Sequence, residues 1–222
     1  MSDFPLLLGH RGARVSGAVP ENTCASFDLA LEHGCDGFEF DVRLTACGRA
    51  LVCHDPKVGG ITVSRATCDQ LTSLLRLEEV LPRYGQRAFL DIELKVRGLE
   101  SKTLAALRER PPGSGYVVSS FIPDVVMELE ARSPTVCLGI ICDKRTQLAR
   151  WRKLPIEYVI AHRSLVNRKL VREVHGAGKK LLVWTVNDKL AMLRLRDWGV
   201  DGIISDQTQL LVHTLGRKRA GS

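Results

Sequence analysis

The stretch FEFDVRLTACGRALVCHD, residues 38–55, holds two apolar runs that carry acidic side chains and end in a histidine. Glu39 and Asp41 are two positions apart, so on a strand both carboxylates lie on one face while the neighbouring Phe and Val side chains lie on the other. The turn-like segment TACGR leads into the second run, which ends at His54. This pattern predicts a strand that turns back to bring a histidine beside an acid pair.

The turn between the two runs sets which residues face each other. If Cys47 and Gly48 are the central residues of a two-residue hairpin, Asp41 lies directly opposite His54. We therefore expect a small hairpin excursion whose register pairs these two side chains.

Outward from this stretch, short apolar runs alternate with segments of helical spacing. The runs are PLLLGH (5–10), GFEFDV (37–42), AFLDIELK (88–95), YVVSSF (116–121), TVCLGIIC (135–142), YVIAHR (158–163), KLLVWTVN (180–187) and DGIISD (201–206). Eight strands with intervening helices predict a parallel sheet, and in about 220 residues they predict a (β/α)8 TIM barrel with a hairpin after the second strand. An open doubly wound sheet is the alternative, but the glycine-rich phosphate loop that such sheets carry after a strand is absent.

Length and composition limit the class of protein. With 222 residues and 45% hydrophobic residues, the chain is expected to form one domain over residues 1–222, with a basic, flexible tail at 215–222. The net charge is +7, yet only 5% of residues are aromatic, which argues against nucleic-acid binding. No apolar run is long enough for a membrane span or resembles a signal peptide, so we expect no stable membrane anchor.

Seven cysteines without a C-x-x-C pair favour free thiols in a reducing compartment over a disulfide framework or a zinc site. The expected location is cytoplasmic. The sequence does not indicate an oligomeric state.

In a (β/α)8 barrel, catalytic groups lie at the carboxyl ends of the strands. The first strand ends in His10 and Arg11, the second carries Glu39 and Asp41, and the third ends in Glu93 and Lys95; the later strands end in Ser119 and Ser120, Trp184 and Asn187, and Ser205 and Asp206. Three carboxylates at one rim repel each other unless a cation lies among them. We therefore expect Glu39, Asp41 and Glu93 to bind a hard divalent cation, Mg²⁺ or Ca²⁺, between which the sequence does not choose.

Cations next to a metal site predict an anionic substrate. Arg11 and Lys95 are suited to hold a phosphate, one as a planar fork and the other as a point charge. His10 and His54 then supply a general acid and a general base near neutral pH. Together these groups predict cleavage of a phosphodiester.

The remaining histidines are expected to be structural. His33 and His175 fall in the C-terminal turns of predicted helices, where a histidine complements the helix dipole. His162 ends the sixth strand and has no obvious partner. The cysteines are interpreted as small buried hydrophobic residues.

Several motifs in order along the chain carry a family resemblance. GHRGA is followed by PENTCASFDLALEHGCDGFEFDV, and then by LVCHD, LEEVLPRY, DIELK, VVSSF, VWTVN and DGIISD. From His10 to Asp206 the sequence resembles the glycerophosphodiester phosphodiesterase family. The resemblance implies a (β/α)8 barrel that hydrolyses glycerophosphodiesters to glycerol 3-phosphate and an alcohol.

The resemblance also implies roles for individual residues. It agrees with His10 and His54 as the catalytic pair and with the metal and phosphate positions above. Trp184 of WTVN matches an aromatic residue that packs on the substrate, although by itself a tryptophan there is more often part of the core. Glu21 of PENT matches a position near the metal and Arg11, and it could equally serve as an acid at a helix N-terminus.

The sequence departs from the family pattern in three places. Cys47 stands where an acidic residue is usual, the loop from Arg14 to Val19 is longer, and the segment after CHDP is shorter. The last of these is expected to shape the pocket for the leaving alcohol. Two alternatives remain open: the same site acting on lysophospholipids or another phosphodiester, and a non-catalytic binding protein of this fold.

Overall fold

The computed structural model of the protein describes residues 4–14 and 19–216. Most of the long loop expected between Arg14 and Val19 lies outside the described residues, as do residues 217–222 of the expected tail. Leu215, with which that tail was expected to begin, is instead the buried last residue of a helix.

The described chain forms eleven β-strands. They are β1 (Leu6–His10), β2 (Gly37–Leu44), β3 (Ala50–Val52), β4 (Lys57–Val58), β5 (Ile61–Thr62), β6 (Phe89–Leu94), β7 (Tyr116–Ser120), β8 (Leu138–Cys142), β9 (Tyr158–His162), β10 (Lys180–Trp184) and β11 (Gly202–Ser205). Eight of these strands coincide with the eight apolar runs of the sequence, and the other three belong to the excursion after β2.

The eight long strands close into a barrel. Each pairs in parallel with its neighbours in the order β1, β2, β6, β7, β8, β9, β10, β11, and β1 pairs with both β2 and β11. The predicted (β/α)8 barrel is therefore confirmed, and an open sheet is excluded because no barrel strand is left at an edge.

Eight α-helices accompany the strands in the described residues. They are α1 (Cys24–Glu32), α2 (Leu77–Tyr84), α3 (Glu100–Glu109), α4 (Pro123–Arg132), α5 (Arg145–Leu148), α6 (Arg168–Gly176), α7 (Lys189–Trp198) and α8 (Thr208–Leu215). None of them has the length and apolar character that crossing a bilayer would require.

Two apolar layers stabilise the barrel. Inside it, alternate strand residues form a separate cluster that includes Leu8, Ile141, Ile160 and Leu182. Outside it, a larger cluster fills the space between strands and helices, where Phe38 stacks on the Phe27 ring of α1 at 4.1 Å. The predicted alternation of β2 follows from this arrangement, because its aromatic face packs on the helices and its acidic face points into the barrel.

The helical layer is thinnest between β8 and β9. There α5 has only four residues, and a 3₁₀ turn at Trp151–Lys153 completes the connection. The segment is attached to the core by the Trp151 side chain, which is 2% exposed, and by the partly buried Leu148 and Leu154.

The predicted hairpin exists, but its predicted register is wrong by one residue. Val42 pairs with Val52 and Leu44 with Ala50, so Asp41 lies beside Cys53, whose N–H donates to the Asp41 carbonyl, and not opposite His54. The loop has three central residues instead of two, and the last of them, Gly48, has a φ of 83°. This is the turn plus left-handed residue that three-residue hairpins use.

The expectation of free thiols is wrong for two of the seven cysteines. Cys47 at the hairpin tip forms a disulfide with Cys68, which lies 21 positions further along the chain, and the two Cα atoms are 5.6 Å apart. The other five cysteines are free. This pairing was not predicted because it depends on how the segment after β5 folds back onto the hairpin.

Removing this cross-link is expected to destabilise the protein. A loop of this length should contribute about 3 kcal/mol by restricting the unfolded chain. The double variant Cys47→Ser/Cys68→Ser should therefore unfold at a lower urea concentration than the oxidised wild type. Dithiothreitol should lower the wild-type midpoint and leave that of the variant unchanged; equal midpoints for the wild type with and without reductant would contradict the cross-link.

Candidate active site

Strand register gathers the predicted residues at the carboxyl end of the barrel. His10 of β1 pairs with Glu39 of β2, and Asp41 of β2 pairs with Glu93 of β6. Because residues at matching register in a parallel sheet point to the same side, all three carboxylates project into one mouth.

The three carboxylates fit a divalent cation. One oxygen from each of Glu39, Asp41 and Glu93 lies within 4.8 Å of the others, and two oxygens bound to one calcium ion can be at most about 5.2 Å apart. All three residues are buried, and Glu39 Oε1 has no hydrogen-bond partner. Buried, unpaired carboxylate oxygens are costly without a cation, so these residues suit an oxygen-coordinated metal.

Crowding of negative charge shifts the pKa values in this cluster. Burial, together with the nearby Asp41, raises the pKa of Glu39 well above its usual range. Burial also raises the pKa of Glu93 to about 7, despite the attraction of Lys95. Asp41 behaves in the opposite way: burial acts to raise its pKa, but Lys95 and Arg11 outweigh it and the pKa is lowered.

Two cations lie against the acidic cluster. Lys95 Nζ lies 2.7 Å from Glu93 Oε1 and 3.2 Å from Asp41 Oδ1. On the other side, Arg11 Nε lies 3.2 Å from Asp41 Oδ2. Both cations therefore border the cation site, where a phosphate oxygen could reach them.

The backbone of Arg11 is also part of the site. Its φ is 58°, a left-handed conformation that non-glycine residues rarely adopt. In this conformation its N–H donates to Glu39 Oε2 at 3.0 Å. Glu21 orients the side chain, accepting a hydrogen bond from Arg11 Nη1 at 2.8 Å and pairing with Arg14.

His10 is held by a carboxylate that the sequence analysis left without a role. Its Nδ1 lies 2.8 Å from Asp206 Oδ1, and Asn187 Nδ2 donates to Asp206 Oδ2 at 2.7 Å. Although burial opposes it, the hydrogen bonds from His10 and Asn187 lower the pKa of Asp206 to about 2. An ionised Asp206 requires Nδ1 to carry the proton, which leaves His10 Nε2 facing the mouth, 4.0 Å from Glu39 Oε2.

His54 reaches the same mouth, although it does not lie opposite Asp41 in the hairpin. It lines the cavity that His10, Arg11 and Lys95 also line. Its carbonyl accepts a hydrogen bond from Arg43 Nε at 2.6 Å, and its Nδ1 lies 2.8 Å from Asp55 Oδ1. The side chain is 34% exposed, compared with 13% for His10, so His54 lies on the solvent side of the mouth.

An apolar wall faces the charged half of the mouth. It consists of Phe121, Ile141, Ile160 and Trp184, which border a cavity of about 110 Å³. The indole of Trp184 meets the ring of Phe121 edge to face at 5.6 Å and donates from Nε1 to the Ile160 carbonyl. Trp184 is thus half-buried and borders the cavity.

Two further polar residues beside the acids were missed in the sequence; one donates a hydrogen bond to Asp41 and the other is a fourth buried carboxyl group. Asn22, with a φ of 58°, donates from Nδ2 to Asp41 Oδ2 at 2.9 Å. Asp91 lies one layer deeper in the barrel and accepts a hydrogen bond from Ser119 Oγ at 2.6 Å. Asn22 belongs to the quoted PENT motif and Asp91 alternates with Glu93, so a local pattern could have identified both residues. Their hydrogen bonds to Asp41 and Ser119 could not be identified in this way, because they join different segments of the chain.

The three histidines that were expected to be structural have partners of their own. His33 bonds Thr208 and His175 bonds Asp201, both away from the mouth. His162 ends β9 next to Trp184, with ring centroids 5.3 Å apart. A separate cavity of about 530 Å³ lies at the opposite end of the barrel around Phe89 and Tyr158 and contains none of the predicted site residues.

Comparison with known proteins decides the family. The model of the glycerophosphoryl diester phosphodiesterase family matches residues 10–114 and 84–210. The chain belongs to this family. A glycerophosphodiester phosphodiesterase of Caldanaerobacter subterraneus is 31% identical over 94% of this chain and 96% of its own length. A putative glycerophosphodiester phosphodiesterase of Bacillus subtilis is 29% identical over 93% and 96%, respectively.

Solved structures of family members share the barrel. A phosphodiesterase from Oleispira antarctica, solved in complex with the product sn-glycerol-3-phosphate, superposes with a TM-score of 0.84. It is 26% identical and the match covers 97% of this chain and 98% of that protein. The glycerophosphodiester phosphodiesterase of Thermotoga maritima, also 26% identical, gives a TM-score of 0.80 over 94% and 97%.

Binding of a cation by the three carboxylates should be visible in thermal unfolding. Millimolar Mg²⁺ or Ca²⁺ should raise the melting temperature of the wild type by several degrees, because a ligand at about 100 times its Kd adds about 2.7 kcal/mol. Glu39→Gln should abolish this shift without lowering the metal-free melting temperature, since it removes a buried repulsive charge.

Asp91→Asn is the matched control for Glu39→Gln. It removes a carboxylate from the same barrel interior that is not part of the ligand cluster, and it should keep the metal-dependent shift. A Glu39→Gln protein that responds to metal as the wild type does would show that the cation binds elsewhere.

Proposed function

We propose that this family member is a divalent-metal-dependent phosphodiesterase that hydrolyses glycerophosphodiesters to glycerol 3-phosphate and an alcohol, in a single catalytic domain. The observation that carries the proposal is the convergence, at one mouth, of three buried carboxylates, two cations and two carboxylate-paired histidines. The family match and the relatives' names support the same substrate class.

The residues divide the work of binding. Glu39, Asp41 and Glu93 hold Mg²⁺ or Ca²⁺, which when bound supplies Lewis-acid stabilisation of charge on the phosphoryl oxygens. Arg11 and Lys95 contact the same phosphate from either side of Asp41, and Glu21 keeps the Arg11 guanidinium in place.

The two histidines move the protons. His10 is the better placed base, because the ionised Asp206 stabilises the imidazolium that forms when His10 accepts a proton. It deprotonates the attacking hydroxyl, either a water or the glycerol hydroxyl of the substrate. Attack by the glycerol hydroxyl is favoured by proximity and gives a cyclic phosphate, which a water must then open to yield glycerol 3-phosphate. His54, on the solvent side, protonates the alcohol oxygen as its bond to phosphorus breaks.

The apolar wall limits what can be bound beside the phosphate. Trp184 packs on the glycerol carbons, and the cavity of about 110 Å³ is smaller than typical drug-sized pockets of roughly 300–1,000 Å³. The space therefore suits a glycerol phosphate group and leaves the alcohol to extend outward past His54.

A direct assay tests the proposal. Purified protein should release choline from glycerophosphocholine, lose this activity after chelation with EDTA, and regain it when Mg²⁺ or Ca²⁺ is added back. Preference for lysophosphatidylcholine over glycerophosphocholine would favour the lysophospholipid alternative. Binding of the diester without turnover in the presence of either metal would favour a non-catalytic binding protein.

Replacing His10 tests the acid–base assignment. His10→Ala should reduce kcat on glycerophosphocholine by at least about a hundredfold, because proton transfer by a positioned side chain contributes roughly that much. Its far-UV circular dichroism should match the wild type. His213→Ala, at an exposed position on α8, is the control and should keep full activity; near-normal turnover in His10→Ala would refute the assignment.

We also propose a cytoplasmic location. Five free cysteines support it, and the disulfide between Cys47 and Cys68 argues against it. The oxidation state of Cys47 and Cys68 in protein isolated directly from cells tests this location: free thiols would support it, and a disulfide would argue against it.

A further inference from the structure

Positive charge is concentrated on one side of the barrel mouth. Six cations lie at the carboxyl ends of β8, β9 and β10 or in the first residues of the helices that follow them, and together we call them the basic rim: Lys144, Arg145, Arg163, Arg168, Lys169 and Lys189. All six are exposed. Asp143 and Asp188 are the acids in the same segments, so six cations face two acids and the local net charge is +4.

Most of this charge is not neutralised within the protein. Arg163 lies 3.8 Å from Asp188, and Lys169 shares Glu173 with Arg152. The other four cations of the rim form no ion pair with any acid in the described part of the chain. Away from the rim, the exposed cations Arg76 and Arg97 are paired with acids, whereas Lys57 and Arg65 of the excursion after β3 form no ion pair with a described acid.

Helix stability does not explain these positions. Arg168 and Lys169 open α6, and Lys189 opens α7, and neither helix has an acid in its first turn. A cation at the N-terminus of a helix opposes the helix dipole, so acids are the favoured residues there. At α6 the positive end of the dipole adds to the side-chain charge and makes the rim more attractive to an anionic partner, whereas at α7 the capping carboxylate of Asp188 offsets it.

An exposed leucine lies within the same rim. Leu190 follows Lys189 and is 78% exposed, the most exposed of the large apolar side chains in the described residues. The exposed large apolar residues include no aromatic side chain at the rim on which nucleic-acid bases could stack. A leucine among unpaired cations is the composition of surfaces that bind reversibly to anionic lipid.

We propose that the basic rim docks the barrel mouth on an anionic lipid surface. The cations are spread over three neighbouring loops, so a small anion would meet only one or two of them, whereas a flat anionic bilayer meets all of them. Leu190 would enter the interface, and the apolar wall formed by β7 to β10 would lie next to the membrane. This binding is peripheral and reversible, and it does not depend on the proposed phosphodiesterase activity.

Vesicle cosedimentation tests the proposal with the metal-free full-length protein. The wild type should bind vesicles of phosphatidylcholine with about 30% phosphatidylserine, should not bind phosphatidylcholine alone, and should bind less at high salt. Arg168→Gln/Lys189→Gln should weaken the partition coefficient about 25-fold, at roughly fivefold for each cation removed. Leu190→Ser should weaken it further.

The control removes the same charge from the other end of the barrel. Arg108→Gln/Arg110→Gln lowers the net charge by two as well, at exposed positions at the end of α3 that form no ion pair with a described acid. This variant should bind like the wild type. Equal losses in both variants would mean only a general charge effect and would overturn the proposal.

Two other results would also overturn it. One is an absence of binding to anionic vesicles at low salt. The other is binding of single-stranded RNA that depends on Arg168 and Lys189 while vesicle binding does not. Circular dichroism of each variant confirms folding, and unchanged glycerophosphocholine hydrolysis in the rim variant separates this outcome from any failure of the catalytic proposal.

Discussion

The structure of the mouth depends on the close approach of three buried carboxylates from two neighbouring strands. Like charges about 4 Å apart repel by about 4 kcal/mol near a protein surface. The β2–β6 register imposes this proximity, since it pairs Asp41 with Glu93 through backbone hydrogen bonds that cannot shift by one residue without turning every side chain of β2 to the other face. The barrel closure thus fixes an arrangement in which neighbouring cations or protonation must relieve the repulsion.

The surrounding groups respond to that repulsion in different ways. Lys95 and Arg11 compensate Asp41 directly, and its pKa is lowered. Two cations do not offset three carboxylates, and burial together with the remaining negative charge raises the pKa of Glu39 and Glu93. The same imbalance is what makes the cluster a suitable site for a divalent cation, and the two side-chain cations are then available to an incoming phosphate.

The histidines differ in their surroundings, and this difference supports separate roles. His10 lies deeper and is held by an ionised carboxylate that is itself fixed by Asn187. His54 lies on a short excursion that is fastened by Arg43 and by packing of the segment after β3. The less exposed imidazole on a barrel strand suits the proposed base, and the more exposed one at the edge suits the proposed acid near the departing alcohol.

Much of this protein could be predicted from local patterns in its sequence. The eight strands follow from local alternation, and the placement of Glu39, Asp41 and Glu93 at one mouth follows from strand-end positions. The closed barrel was inferred from the number of strand and helix units, since the pairing of β1 with β11 that closes it is not local. Only the tertiary structure decided the three-residue hairpin loop, the Cys47–Cys68 disulfide and the pairing of His10 with Asp206. Each of these depends on the exact turn geometry or on contacts between segments up to 196 residues apart, which a local periodicity does not encode.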